Sequence, residues 1–396
     1  MSLIRFEQVD LVFGKAPKRA LKLLDGGLAR DAIFARSGQL LAVAGATLAI
    51  ERGETCVLMG LSGSGKSSLL RCINGLNRIS RGHLWIEHDG RHLDLTACNA
   101  AQLKALRTRR IAMVFQQFAL LPWLTVAENI GFGLELQGMQ AAERRRRVAD
   151  KLELVGLAQW RDKRPGELSG GMQQRVGLAR ALAMDADILL MDEPFSALDP
   201  LIRQQLQDEL LDLQRRLHKT IVFVSHDLDE ALKLGNRIAI MKDGRIVQHG
   251  RPEDILLNPA DDYVRSFVAH TNPLDVLSGR SLMRPLADCR NGSGEICLDR
   301  EQDCWLGLGS DQQPLGARRG DQPLELQQWL PGQPLSELRH QPTLVDARIV
   351  MRDALQVRYR TRHPLLLQDQ GRIVGLLDDH ELYHALLGQG SEALPL

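Results

Sequence analysis

What the chain lacks narrows its class before any motif is considered. Its 396 residues carry 50 Lys+Arg against 49 Asp+Glu, so no net field draws it toward nucleic acid. Aromatic residues make up 4% of the sequence. None is interleaved with the arginine run Arg144 to Arg147, which is expected to be a solvated helix face rather than a stacking platform for bases. The longest largely apolar stretch, Leu40 to Ile50, is too short to cross a bilayer and contains Gly45 and Thr47. A leader peptide is not expected, because Met1-Ser-Leu-Ile-Arg5 runs straight into a charged, strand-like segment. The six cysteines (Cys56, Cys72, Cys98, Cys289, Cys297, Cys304) include no Cys-x-x-Cys pair. Buried free thiols in a reducing cytosol are expected, not disulfides or metal ligands. No lysine follows Lys242, so every later cation other than histidine is an arginine.

The length exceeds one typical core, and two domains are expected, 1–270 and 271–396. The first contains Gly60-Leu61-Ser62-Gly63-Ser64-Gly65-Lys66-Ser67, a full match to the phosphate-loop pattern G-x-x-x-x-G-K-[ST]. The apolar run Thr55 to Met59 precedes it as a strand, and Ser68 to Ile73 follows with helical spacing. The glycines allow backbone N–H groups to turn inward around an anion, at the positive end of the following helix. Lys66 adds a mobile charge for the outer phosphates, Ser67 a hydroxyl for Mg²⁺, and Ser68 sits at the start of the same helix. Binding of ATP with Mg²⁺ is expected here.

Around this loop the hydrophobic pattern alternates between periods. Leu3 to Phe13, Leu40 to Ile50, Ile111 to Phe115, Asp187 to Met191 and Thr220 to Val224 are expected strands, the last two apolar after their first residue, as in a parallel sheet covered on both faces. Lys18 to Arg36, broken at Gly26-Gly27, is expected to be an inserted helical pair. His83 to Leu95 and Ile238 to Gln248 are hairpins turning at Asp89-Gly90 and Asp243-Gly244. Thr125 to Ala183 is mostly helical, with Val148, Leu152 and Val155 on one apolar face. Pro200 opens a helix with Leu206, Leu210, Leu213 and Leu217 aligned. The expected core is therefore α/β, a P-loop NTPase fold with a helical subdomain. In the tail, Leu306 to Leu335 is rich in Gly, Pro and Gln and is expected to be loop-heavy. Pro364 to Leu377 is strand, turn, strand, followed by a helix over Asp379 to Leu387, giving a small α+β domain.

Two further stretches complete a hydrolytic site. Ile188 to Glu193 is a strand ending in two carboxylates, Asp192 placed for Mg²⁺ and Glu193 for activating water. Leu168-Ser169-Gly170-Gly171-Met172-Gln173-Gln174-Arg175 is a second helix start fronted by Ser and Gly, able to cap a phosphate. That octapeptide resembles the signature sequence of ABC ATPases. Gln116 after a strand, Ser196-Ala-Leu-Asp199-Pro after Glu193, and Val-Ser-His226-Asp at a strand end match the same family. The resemblance implies that Glu193, His226 and Gln116 are catalytic and that Ser67, Asp192 and Gln116 surround Mg²⁺. It also implies that Ser169, Gly170, Gly171, Gln173 and Asp199 serve nucleotide across a homodimer holding two ATPs. Phe13 stands where the family often keeps an aromatic for adenine, and a plain core role is equally open.

Residues 1 to about 270 are similar to ATP-binding subunits of glycine betaine/proline betaine/choline ABC importers. The carrying residues are Phe13 to Leu21, the helical insertion to Gly38, Ala197 to Arg203, Gln207 to Leu210, and Val114 to Trp123. The resemblance implies an ATPase driving uptake of choline or betaine through a separate membrane permease, with a periplasmic or extracellular substrate-binding protein. It implies no nucleic acid partner and a peripheral place on the cytoplasmic face of a bacterial inner membrane. Uptake of another osmolyte or amino acid, or a soluble ABC ATPase, remain the alternatives. The tail lies where betaine importers carry paired cystathionine-β-synthase-like (CBS) modules, and Leu365 to Leu387 is similar to half of one, a regulatory or dimerisation domain.

Overall fold

The computed structural model describes residues 2–396 except 89, 197, 270, 290–294, 300–302, 310 and 388–396, and excludes the side chains of Leu213 and Leu217. Asp89 of the expected turn, Ala197 of the family motif and those two leucines therefore lie outside what is described. The chain divides into two compact units, Met1–Arg251 and Pro252–Leu396. The division comes earlier than residue 270 because Leu256 and Leu257 pack against the core of the second unit.

The first unit begins with β1 (Ser2–Phe13), the insertion α1 (Pro17–Asp25) and α2 (Arg30–Ser37), and β2 (Leu40–Glu51). Then come β3 (Thr55–Met59), α3 (Lys66–Ile73), β4 (Arg81–His88), β5 (Arg91–Asp94), α4 (Ala100–Arg109) and β6 (Ile111–Val114). The helical stretch is α5 (Val126–Leu136), α6 (Ala141–Leu154) and α7 (Gly170–Ala183). It closes with β7 (Ile188–Asp192), α8 (Pro200–Leu217), β8 (Thr220–Val224), α9 (Leu228–Leu234), β9 (Arg237–Lys242) and β10 (Arg245–Gly250).

Two sheets result. One is antiparallel, in the order β2-β1-β4-β5, and the other runs β10-β9-β3-β8-β7-β6. In the second, all neighbours from β9 to β6 are parallel. Every residue of β3, β7 and β8 is buried, as sequences apolar except at one end require. Leu58, Leu190 and Val224 in the shared core each contribute about 1.5–3 kcal/mol by burial. Parallel strands place their C-terminal ends on one edge, so Met59, Val114, Asp192 and Val224 all feed the same rim. In α6, Val148 and Leu152 are buried while the arginines pair outward, Arg144 with Glu135 and Arg146 and Arg147 with Glu143.

The second unit holds a five-stranded sheet in which Thr343–Asp346 pairs in parallel with Leu365–Asp369, and Leu365–Asp369 antiparallel with Arg372–Leu377. Helices Met351–Thr361 and Asp379–Leu386 complete a β-α-β-β-α order. The expected loop-heavy stretch is corrected here. Cys304–Leu308, Pro314–Arg319 and Gln322–Leu324 join Ile296–Asp299 in a four-stranded antiparallel meander. These strands are short and mostly half-exposed, and their backbone ladders tolerate the Gly, Gln and Arg that disguised them.

Candidate functional site

The loop between β3 and α3 is shaped by close backbone approaches. At Gly60 (φ +139°) a Cβ would stand 2.1 Å from the Met241 carbonyl oxygen, and at Gly65 (φ +102°) 2.3 Å from that of Ala42. Only glycine fits either position. The outer carbonyls are held: Gly244 N–H donates to Ser64 O at 3.0 Å, and Arg30 Nη1 to Gly63 O at 2.6 Å. Lys66 is 6% exposed and its Nζ donates to the carbonyls of Gly60 (2.8 Å) and Leu61 (3.0 Å). Burial pulls its pKa below the ordinary lysine value, partly offset by the charges of Glu193 and Asp192. Ser64 Oγ is buried with no hydrogen-bond partner, while Leu61, Ser62 and Gly63 are exposed at the tip and Ser67 and Ser68 half-buried.

Across from the loop, β7 ends in Asp192, which is fully buried. Arg71 on α3 grips one of its oxygens, Nη2 to Oδ2 at 2.8 Å and Nε to Oδ2 at 3.2 Å. The other oxygen, Oδ1, is buried with no hydrogen-bond partner. Sequence reasoning missed Arg71; its one signal is a lone cation inside the apolar run Ser68 to Ile73. Removing it leaves Asp192 without this counter-ion. Arg71 is 39% exposed, so Arg71→Met is expected to cost about 1–3 kcal/mol of stability, the scale for leaving a buried acceptor without its partner. Urea unfolding would read it, and a loss below about 0.5 kcal/mol would mean the pair is worth no more than an exposed one.

Glu193 follows in a left-handed backbone conformation (φ +51°), rare for a residue with a side chain. That conformation is held on three sides: its N–H donates to Val224 O at 3.2 Å, and its carbonyl accepts from Gln174 Nε2 (3.2 Å) and Ser196 Oγ (3.1 Å). The carboxylate is thereby turned to meet Gln116 Nε2 at 2.9 Å, with His226 Nδ1 at 3.9 Å. Three residues far apart in sequence thus converge at the ends of β6, β7 and β8. Behind them Glu230 is buried, bonded by Ser225 Oγ (2.5 Å) and Gln207 Nε2 (3.0 Å), and burial pushes its carboxyl above the usual range.

The remaining expected residues lie elsewhere on the unit. Ser169 caps α7 by accepting from Met172 N–H at 3.4 Å; Ser169 and Gly170 are exposed and Gly171 half-buried. Gln173 uses its amide to brace the preceding turn, donating to Pro165 O (3.0 Å) and Leu168 O (3.2 Å). Asp199 caps α8 through Ile202 N–H at 3.1 Å. Phe13, paired with Leu40 at the end of β1, is 40% exposed. Cys56 and Cys72 are buried free thiols, and burial pushes Cys72 up to about 12.

Known proteins resemble this chain in sequence and fold. The ABC transporter family model matches residues 43–196. The chain is 52% identical over 273 residues to the glycine betaine/proline betaine transport system ATP-binding protein ProV of Escherichia coli (strain K12), covering 69% of this chain and 67% of that one. It is 48% identical over 291 residues to the glycine betaine transport ATP-binding protein OpuAA of Bacillus subtilis (strain 168), covering 74% and 69%. Among solved structures, the dimeric ATP-binding cassette MJ0796 in a post-hydrolysis state bound to ADP and Pi matches 63% of this chain and 98% of its own, with 31% identity and a TM-score of 0.55.

Proposed function

Because the chain belongs to the ABC transporter ATPases, we propose that it hydrolyses ATP to energise uptake of a quaternary ammonium compound, choline or glycine betaine, through a separate membrane permease. The observation that carries this is the 52% identity over 273 residues to a betaine transport subunit, together with the family match over 43–196, which spans the loop and both carboxylates. Among the described residues no helix is long and apolar enough to cross a membrane. The pore therefore belongs, in this reading, to the permease, with the ATPase peripheral on the cytoplasmic face of a bacterial inner membrane. A substrate-binding protein on the far side would choose the solute.

The loop N–H groups and Lys66 bind the phosphates. Asp192, Ser67 and Gln116 would hold Mg²⁺: the buried, unpartnered Asp192 Oδ1 and the neighbouring hydroxyl and amide are the hard oxygen donors that ion prefers. When bound, Mg²⁺ neutralises charge on the phosphate oxygens. Glu193 takes a proton from water as the water oxygen bonds to the γ-phosphorus and the bond to the β-bridging oxygen breaks, leaving ADP and phosphate. Gln116 and His226 hold that carboxylate in line. The start of α7, Ser169 to Gly171, with Ser169 and Gly170 exposed, serves the ATP of a second copy, so the working form is a head-to-tail homodimer. In the second unit, the β-α-β-β-α order over 343–386 supports a CBS-like regulatory or dimerisation module.

Uptake in cells carrying the permease with and without this chain tests the reading. Labelled choline or betaine is expected to accumulate only with the chain present, and the chain to co-purify with a multispanning protein. Accumulation of labelled proline alone would replace the solute. Robust ATPase activity with no associated permease would instead favour a soluble ABC ATPase.

A further inference from the structure

The inserted pair α1–α2 forms the connection between the paired strands β1 and β2, and no expected site residue lies on it. It is nonetheless firmly anchored. Ala20, Leu21 and Ile33 pack with Val12, Leu41 and Ala44 of the two flanking strands. Arg19 Nη2 ties α1 to the Arg36 carbonyl at 2.8 Å. Arg81 bridges the insertion to the sheet, bonding Asp25 at 2.8 Å and Asp10 at 2.5 Å, and Ala16 N–H donates to Gln39 Oε1 at 2.9 Å. From this fixed base Arg30, the first residue of α2, reaches the phosphate loop and donates to Gly63 O at 2.6 Å.

Gly63 is where the loop has least support. It is exposed, its φ is +78°, and a Cβ placed on it would meet nothing within 4 Å. Packing therefore does not hold the tip. A loop that presents its N–H groups inward must turn its carbonyls outward, and here those carbonyls are held by donors: Gly60 and Leu61 by Lys66, Gly63 by Arg30, Ser64 by Gly244. If Lys66 turns its ammonium toward phosphate, those two bonds are given up, and Leu61 O keeps the Ser64 N–H at 3.1 Å. The carbonyls of Gly63 and Ser64 are then held by Arg30 and Gly244.

We propose that Arg30 is a positioning residue for the nucleotide site, a brace by which the α1–α2 insertion holds the phosphate loop open for the anion. This rests on the reading of Gly60 to Ser67 as the phosphate cradle. The brace acts on the loop's conformation before and during binding, so its loss makes ordering the tip part of the cost of binding ATP. It touches neither Glu193 nor Asp192 and leaves the bond-breaking step alone.

The test uses the full chain and the fluorescent probe mant-ATP, with steady-state hydrolysis measured in parallel. Arg30→Ala is expected to weaken mant-ATP binding and raise KM for ATP about tenfold, which is about 1.4 kcal/mol, with kcat within about twofold of the parent. Arg30→Lys keeps a cation but not the planar fork, and is expected to fall between the two. Melting temperature should be unchanged, because the insertion keeps its core and its Arg81 bridge. Affinity within twofold of the parent in Arg30→Ala would overturn the brace. So would equal losses in both variants accompanied by a lowered melting temperature, which would mark a folding role. Because mant-ATP binding is read without hydrolysis or transport, a chain that binds but does not turn over or drive uptake would count against the proposed function while still deciding this point.

Discussion

Glu193→Gln is expected to lower ATP turnover by about 10²–10⁴-fold, the usual worth of a positioned general base, while ATP still binds. The substitution is nearly isosteric, so the left-handed backbone at Glu193 keeps its bonds to Val224, Gln174 and Ser196. The side chain can still meet Gln116, because the amide retains an oxygen to accept its N–H. What disappears is the ability to take a proton from water. With the γ-phosphate uncleaved, the two copies it bridges stay together, and size-exclusion chromatography with ATP should show a persistent dimer. Lys66→Ala gives the opposite pattern: affinity itself falls, because a nearly buried cation beside the phosphates is lost. A Glu193→Gln chain that hydrolyses ATP at the parent rate would remove Glu193 from the role of base.

Gly171→Asp is expected to abolish both hydrolysis and ATP-driven dimerisation while each copy still binds ATP. The substitution is informative because its effects within one chain and between chains have opposite signs. A carboxylate in the first turn of α7 interacts favourably with the positive helix end, so the isolated fold gains a few tenths of a kcal/mol. Against a partner's γ-phosphate the same charge is repelled, at a cost of several kcal/mol. Mixing Gly171→Asp with Lys66→Ala should then restore activity. In the heterodimer an intact loop from one copy faces an intact α7 start from the other, giving up to about a quarter of the parent rate for random pairing in closed dimers. Two inactive chains that stay inactive when mixed would count against a site shared between copies.

Much of this molecule could be read from residues alone, for an identifiable physical reason. The phosphate loop and the largely apolar strands β3, β7 and β8 are local features. Glycine spacing sets the backbone of the one, and burial on both faces leaves the other polar residues only at strand ends, Thr55, Asp192 and Thr220. The strand-terminal pair Asp192-Glu193 inherits its place from β7, and the helical pair between β1 and β2 follows from its own periodicity and the Gly26-Gly27 break. Sequence failed where pattern and composition separate. The meander over 296–324 has strands of three to six residues whose Gly, Pro and Gln content resembles loop, because backbone ladders hold it more than side-chain alternation does.

The chain's sequence by itself determined that there is a loop of the phosphate-binding pattern, a carboxylate pair and a second helix start fronted by Ser and Gly, because each is written in consecutive residues. Only the tertiary structure decided how they are made to work. It sets Arg71 against Asp192 across 121 positions of sequence, Gln116 against Glu193 across 77, and Arg30 under Gly63 across 33. It also put Glu193 into a left-handed conformation that three separate segments hold in place. Such pairings leave no local trace, since a charge or an amide looks the same in sequence whether it faces water or a partner brought in by the sheet.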